Sequence, residues 1–298
     1  MRFKLSFTNF ANKHGFTLIE LLVVISIISM LSSIVLANVN VSRKKAVIAA
    51  ALVFEGTNYH AMGTEEILHY NFDEPSGNPL DGSGNNVVLT LSGCATSCRG
   101  QYGDTPTGYG YALSLDGKSY GETNVLSTGN DLSQYTISVW IKPISFMNQI
   151  GGQDVIPIID GFVYYNGFPP NEYFNNRPYL GFKEGTQLVF RVGGDGNHPA
   201  DCTGSDSPKK KIIVGEWQLI TVDSSGEIYI NGNLVDKDSS YNDCTLPPLK
   251  ILEVGTLGGI YHYVGEMDNL VIYRRILTAT EIHDIYADTI NKRSLADK

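Results

Sequence analysis

The sequence predicts a mainly β fold: an antiparallel β-sandwich preceded by one long N-terminal transmembrane helix and followed by a short C-terminal helix. Three observations predict it. Residues 16–37 form an almost unbroken apolar run, long enough to cross a bilayer as a helix, which needs about 20 residues. Beyond residue 66 the apolar pattern changes to many short runs separated by Gly-, Asn- and Asp-rich turns, with no helical period between them. Near the end, Thr278-Ala279-Thr280-Glu281 matches a capping box and opens a helix to about Tyr286.

The N-terminal element comes first. Residues 1–15 hold Arg2, Lys4 and Lys13 and no acid, and they end at Gly15. A secretory signal peptide fits poorly, because its apolar region is only about 7–15 residues long. Within the run, Glu20 is the one charged residue, five positions after Gly15. A carboxylate at such a depth costs several kcal/mol unless paired, which marks Glu20 as functional. Basic residues before the span place residues 1–15 in the cytoplasm; Arg43, Lys44 and Lys45 after it oppose that orientation. Ala-rich residues 46–52 continue the helix, no Pro occurs before Pro75, and Ala61-Met62-Gly63-Thr64 ends it.

The strands follow. Tyr70-Asn71-Phe72, residues 87–91 and Thr136 to Ile141 are strand candidates, the last with Ile137, Val139 and Ile141 on one face. Residues 179–182, 188–192, 217–222, 251–254 and 267–273 are further candidates. Glu227 to Ile230 and Leu234-Val235 flank Asn231-Gly232-Asn233, a strong hairpin signal. Short strands with turns and no intervening helices imply a sandwich.

Composition excludes some functions. The formal charge is −9, and without the three cations of residues 1–15 it becomes −12. So acidic a chain is a poor nucleic-acid binder; the one basic run, Lys209 to Lys211, reads as a solvated loop. Cys94, Cys98, Cys202 and Cys244 show no zinc spacing, and behind an export segment they read as disulfides. Cys94 and Cys98 can close a local loop, which leaves Cys202 and Cys244 to pair; four cysteines allow three connectivities.

Lys13-His14-Gly15-Phe16-Thr17-Leu18-Ile19-Glu20-Leu21-Leu22 resembles the N-terminal motif of type IV prepilins and pseudopilins. The resemblance implies that prepilin peptidase cuts after Gly15 and that Phe16 is N-methylated. It also implies that Glu20 neutralises a neighbouring subunit's N-terminal amine during assembly. The physics agrees, since an ammonium and a carboxylate stranded in hydrocarbon remove each other's desolvation problem. The partners implied are the peptidase, other pilin subunits and the inner membrane, with the rest of the chain ending on a pilus or the cell surface.

The remainder resembles the laminin-G-like jelly rolls of the concanavalin A-like lectin/glucanase superfamily. The matching pieces are Asn71-Phe72-Asp73-Glu74, Asp81-Gly82-Ser83-Gly84-Asn85, Tyr111 to Gly117, the Trp140 strand, Glu216-Trp217-Gln218, Ile230-Asn231-Gly232, Gly265 to Asn269 and Leu277 to Ile282. The expected organisation is a leader over 1–15, a pilin-like helix over 16–62, a hinge at 63–66, a jelly roll over 67–288 and a tail over 289–298.

Such a fold hosts enzymes, lectins and protein binders alike. Its glucanases place two carboxylates on one strand in a Glu-x-Asp-x-x-Glu pattern, which no predicted strand carries. Gly117-Lys118-Ser119-Tyr120-Gly121 matches a nucleophile elbow but lacks the helix that must follow, so it reads as a turn. The resemblance implies a structural Ca²⁺ held by Asp268 with carbonyls near Asp73 and Gly117. Tyr109, Tyr111, Tyr164, Tyr165, Tyr173 and Tyr261 are candidates for stacking on sugar rings. We therefore expect a minor pilin displaying an adhesion domain for a glycan or surface protein. The alternatives are a secretion pseudopilin with a structural head and, third, a surface glycosidase.

Overall fold

A computed structural model describes residues 17–33, 39, 65–94, 98–124, 134–145, 155–162, 179–183, 187–191, 205–237, 251–257 and 261–296. The chain divides into two units, Met1–Leu52 and Val53–Lys298.

In the first unit a helix, α1, runs over residues 18–33. Its large apolar side chains are exposed, among them Leu18, Leu22, Ile25 and Met30. The polar side chains bond within the helix: Ser26 Oγ donates to Leu22 O at 2.8 Å and Ser29 Oγ to Ile25 O at 2.7 Å. Hydrocarbon requires such internal satisfaction. Among the described residues no helix is long and apolar enough to cross a membrane. The expected span, 16–37, extends past both ends of the described helix.

The second unit is a two-sheet sandwich. One sheet, sheet A, holds β1 (Glu66–Tyr70), β16 (Val264–Tyr273), β5 (Thr136–Ser145), β10 (Gln218–Asp223), β11 (Glu227–Ile230) and β12 (Asn233–Lys237), in that spatial order. A seventh strand, β3 (Leu113–Asp116), shares β16 with β1. β1 takes the Leu270 to Tyr273 half and β3 the Val264 to Met267 half. The other sheet, sheet B, runs β2 (Leu89–Ser92), β4 (Tyr120–Thr123), β13 (Ile251–Val254), β6 (Val155–Phe162), β7 (Tyr179–Lys183), β8 (Gln187–Arg191), β9 (Ser205–Lys211). All these pairings are antiparallel. β14 (Thr256–Leu257) and β15 (Tyr261–His262) form a small separate pair.

Period-2 alternation builds the core. Ile137, Val139 and Ile141 of β5 join Leu180, Phe182, Leu188, Phe190, Leu252 and Val254 of sheet B in one buried cluster. The Asn231-Gly232 turn has φ of +52° and +72°, as a two-residue hairpin needs, with Ile230 opposite Asn233. β1 would be a raw sheet edge, but the Asp81 to Val87 turn covers it. Asp81 Oδ1 accepts from His69 N at 3.0 Å, and Asn85 Nδ2 donates to Glu66 O at 2.9 Å and Ile67 O at 3.0 Å. Side chains thus stand in for a neighbouring strand, which protects the edge from other chains.

Three expectations need correction. The C-terminal helix, α2, runs Ala279–Ala296, so most of the expected tail is helical. Ile282 and Tyr286 dock on sheet A, and the Lys-, Arg- and Ala-containing sequence that follows sustains helix. Lys209 to Lys211 end β9 rather than forming a loop. β1 begins at Glu66, inside the expected hinge, because its partner on β16 extends to Tyr273.

Candidate functional site

The most elaborated feature of the second unit is the excursion between β2 and β3. Cys94 and Cys98 are disulfide-bonded at its base. The chain then runs out and back as a hairpin: Ser114 N donates to Cys98 O at 2.9 Å, Gly100 N to Ala112 O at 3.0 Å and Gly103 N to Gly110 O at 2.8 Å. Thr105 Oγ1 closes the tip by donating to Tyr109 O at 2.7 Å. Arg99 pins the base, donating through Nε to Glu74 O at 2.7 Å and through Nη2 to Gly77 O at 3.1 Å. Gly110 has φ +82°, and a Cβ there would fall 1.7 Å from Asp73 Oδ1. Only glycine allows that approach.

The hairpin carries three tyrosines. Tyr102 packs edge-on with Tyr109 at 5.5 Å and with Tyr111 at 5.1 Å between ring centroids. Tyr102 is 52% exposed and Tyr109 45%. Behind them, Asp73 Oδ1 accepts from Tyr111 N at 3.3 Å. Sequence reasoning named Tyr109 and Tyr111 but missed Tyr102; three tyrosines within residues 102–111 were the available signal.

Next to the hairpin's tip, polar contacts tie it to sheet A. Asp104 pairs with Lys142 of β5 and accepts from Trp217 Nε1 at 3.3 Å. Lys142 Nζ also meets Glu266 Oε2 at 3.1 Å and lies 5.9 Å from the Trp217 ring centroid. Burial works against the Asp104 carboxylate, yet Lys142 and Trp217 hold it below the ordinary Asp value. Burial likewise opposes the Lys142 ammonium, and its two carboxylates more than compensate.

The outward side of sheet A is covered. Trp140, buried on β5, stacks on Tyr286 of α2. Tyr229, Val271, Tyr273, Leu277 and Ile282 form a second apolar cluster there. Tyr164, Tyr165 and Tyr173 lie outside the described residues, and Tyr261 is on β15.

Against this geometry we compared the chain with known proteins. Residues 115–283, more than half of it, match the model of the concanavalin A-like lectin/glucanases superfamily. The chain belongs to that superfamily. Residues 10–36 match the prokaryotic N-terminal methylation motif, so the type IV pilin signature and the lectin-like fold share one chain. Gly15 and Phe16 lie outside the described residues, as do Cys202 and Cys244. Glu20 lies in α1, where its Oε2 accepts from Thr17 N at 2.8 Å and Thr17 Oγ1 at 2.9 Å.

Among solved structures the chain is similar to domain 4 of an extracellular GH43 arabinanase from Geobacillus stearothermophilus, in complex with arabinotriose. Identity is 21%, coverage 74% of this chain and 98% of that one, and TM-score 0.52. It is also similar to the receptor-binding domain of a botulinum neurotoxin C/D mosaic serotype, at 16% identity and TM-score 0.51, covering 76% of this chain and 52% of that one. A Trypanosoma rangeli sialidase in complex with the inhibitor DANA is similar at 13% identity and TM-score 0.50, covering 75% and 33%. The chain thus spans about half of the neurotoxin domain and a third of the sialidase. Comparison with curated proteins finds no match. At these identities the structures share the fold alone.

The calcium set implied by the resemblance is Asp268 with carbonyls near Asp73 and Gly117. Asp268 is buried on β16 opposite Trp140, and its Oδ1 accepts from Asn269 N at 2.8 Å. Gly117 follows Asp116, which faces Val264 across the β3–β16 pair. Three strand residues lie between Val264 and Asp268, about 13 Å at the usual rise. The Asp73 carboxylate meets the hairpin at Tyr111 N. Among the described residues no three His, Cys, Asp or Glu side chains group to hold a metal. The expected turn at Gly117 is present: Asp116 Oδ1 accepts from Lys118 N at 3.0 Å and from Ser119 N and Oγ at 2.9 and 2.8 Å.

Sheet B aligns three acidic residues by register, which sequence reasoning missed. Register sets Glu253 of β13 opposite Glu122 of β4 on one side and Asp160 of β6 on the other. Leu252 and Val254 point into the core, so Glu253 points away from it. No local pattern announces this row, because its members come from three distant segments.

Proposed function

We propose that this protein is a minor type IV pilin-like subunit whose lectin-like head binds a glycan or a surface protein outside the cell, without turnover. The observation that carries the reading is the joining of a methylation motif over residues 10–36 to a lectin-like fold in one chain. The motif supplies processing by prepilin peptidase, membrane insertion and assembly through Glu20. The fold supplies a rigid disulfide-stapled head. A head of this size, residues 67–288, is awkward to pack at every position of a filament, which supports a minor subunit. The arabinanase domain holding arabinotriose supports a carbohydrate as ligand.

Individual sites on such a head are shallow, and attachment gains strength from several copies presented together. Deleting the protein and scoring attachment, piliation and secretion tests the reading. Lost attachment with intact secretion supports it; lost secretion with normal attachment favours a pseudopilin. Reducing sugar released from a polysaccharide, and abolished by Glu122→Gln or Glu253→Gln, would replace binding by hydrolysis.

A further inference from the structure

We propose that the disulfide-stapled hairpin over residues 98–114 is the head's glycan site and that it takes neutral pyranose chains with equatorial hydroxyls. This deepens the adhesive reading and rests on it.

Four observations carry the inference. First, Tyr102 and Tyr109 hold two large rings half in water, at 52% and 45% exposure, whereas among the described residues large rings such as Trp140 and Phe182 are buried. Exposed, clustered aromatics mark contact surfaces. Second, the rings are preorganised. Edge-on contacts at 5.5 and 5.1 Å lock the three tyrosines together. The disulfide and Arg99 fix the base, and Thr105 and the Asp104–Lys142 pair fix the tip. Rings already held in place lose little entropy when a flat ligand settles on them.

Third, among the described residues one other aromatic surface, on the outward side of sheet A, is closed. Trp140 and Tyr229 on sheet A lie under α2 and offer no platform.

Fourth, charge selects the ligand. Arg99 is the hairpin's one cation, and it is engaged with Glu74 and two carbonyls. Lys142 beside the hairpin is engaged by Asp104 and Glu266. Asp73 adds a carboxylate behind Tyr111. A sialylated or sulfated glycan meets the Asp73 and Asp104 carboxylates, with Arg99 and Lys142 engaged and Arg293 acting on Asp104, so a neutral one is favoured. β-Linked chains with equatorial hydroxyls present flat C–H faces to aromatic rings, and the phenol hydroxyls hydrogen-bond the hydroxyls at their rim.

The test uses the full chain purified in detergent, titrated with cellohexaose and xylohexaose as neutral probes and with 3′-sialyllactose and a heparin hexasaccharide as acidic ones. A neutral probe should bind, and the acidic probes should not. Tyr102→Ala and Tyr109→Ala should each weaken binding about fivefold, while Tyr109→Phe keeps most of it. On the unsubstituted chain, the bound neutral probe should protect Tyr102 and Tyr109 from nitration mapped by mass spectrometry, a readout independent of how the variants fold. Neutral binding with neither protection nor loss in the variants would place the site elsewhere and leave the adhesive reading intact. Preference for an acidic probe would overturn the selectivity. No binding to any probe overturns this site, and failure across a broad glycan array would take the carbohydrate reading with it.

Discussion

The rings of Trp140 and Tyr286 stack 5.8 Å apart at 25°, joining the central strand β5 to the C-terminal helix α2. This contact covers Trp140 on the outward side of sheet A, partway along a helix that runs to Ala296. Trp140 is 2% exposed. Trp140→Ala should cost about 3–5 kcal/mol, a large-to-small core change. Tyr286→Ala should cost less, and the two losses should not add, because each removes the same contact. Denaturant unfolding of the two single variants and the double variant checks this; additive losses would contradict the coupling.

Gly232 serves the hairpin and the helix together. Its φ is +72°, and a Cβ there would lie 3.1 Å from both His283 Cα and Tyr286 Cβ. Gly232→Ala should therefore destabilise by about 1–2 kcal/mol from backbone strain, with added crowding against α2. Thermal unfolding measures it, and an unchanged or raised melting temperature would contradict the packing described.

Acid should weaken the first turn of α2 through Glu281. Glu281 pairs with Arg275 at 2.6 Å and accepts from Thr278 N at 2.8 Å, completing the capping box. The Arg275 hydrogen bond, against partial burial and with help from Thr278, holds its pKa down at about 2. The folded value lies below the ordinary Glu value of about 4.3, so its stabilisation is fully present above that pH and is lost as pH falls toward 2. Glu281→Gln should cost about 1 kcal/mol at neutral pH, after solvent screening, and should flatten the stability profile over that acid range. An unchanged pH profile in the variant would contradict the assignment.

Glu20→Ala should insert and be cleaved normally yet enter filaments poorly. Immunoblots of sheared filaments against membranes check this. Normal incorporation would reduce Glu20 to a capping residue for Thr17.

Local chemistry explains which features were legible in the sequence. The alternation of Ile137, Val139 and Ile141, the Asn231-Gly232 turn and the Thr278–Glu281 box are each written within a few residues, and each is present. Pairings between distant segments were not legible. The sharing of β16 by β1 and β3, the Glu122–Glu253–Asp160 row and the docking of Asp104 on Lys142 depend on closure of the sandwich. The candidate site was half legible: Tyr109, Tyr111 and the Cys94–Cys98 staple could be named, but their convergence with Tyr102 and Asp73 on one hairpin is tertiary.

The central claim is that this lectin-like head travels on a processed pilin helix. Intact-mass and N-terminal mass spectrometry of the protein in filaments sheared from cells tests it most directly. The account predicts a chain that begins at N-methylated Phe16, with Gly15→Val retaining the leader and disappearing from the sheared fraction. A mature N-terminus beyond Ala37, or an unprocessed chain confined to the cytoplasm, would contradict it.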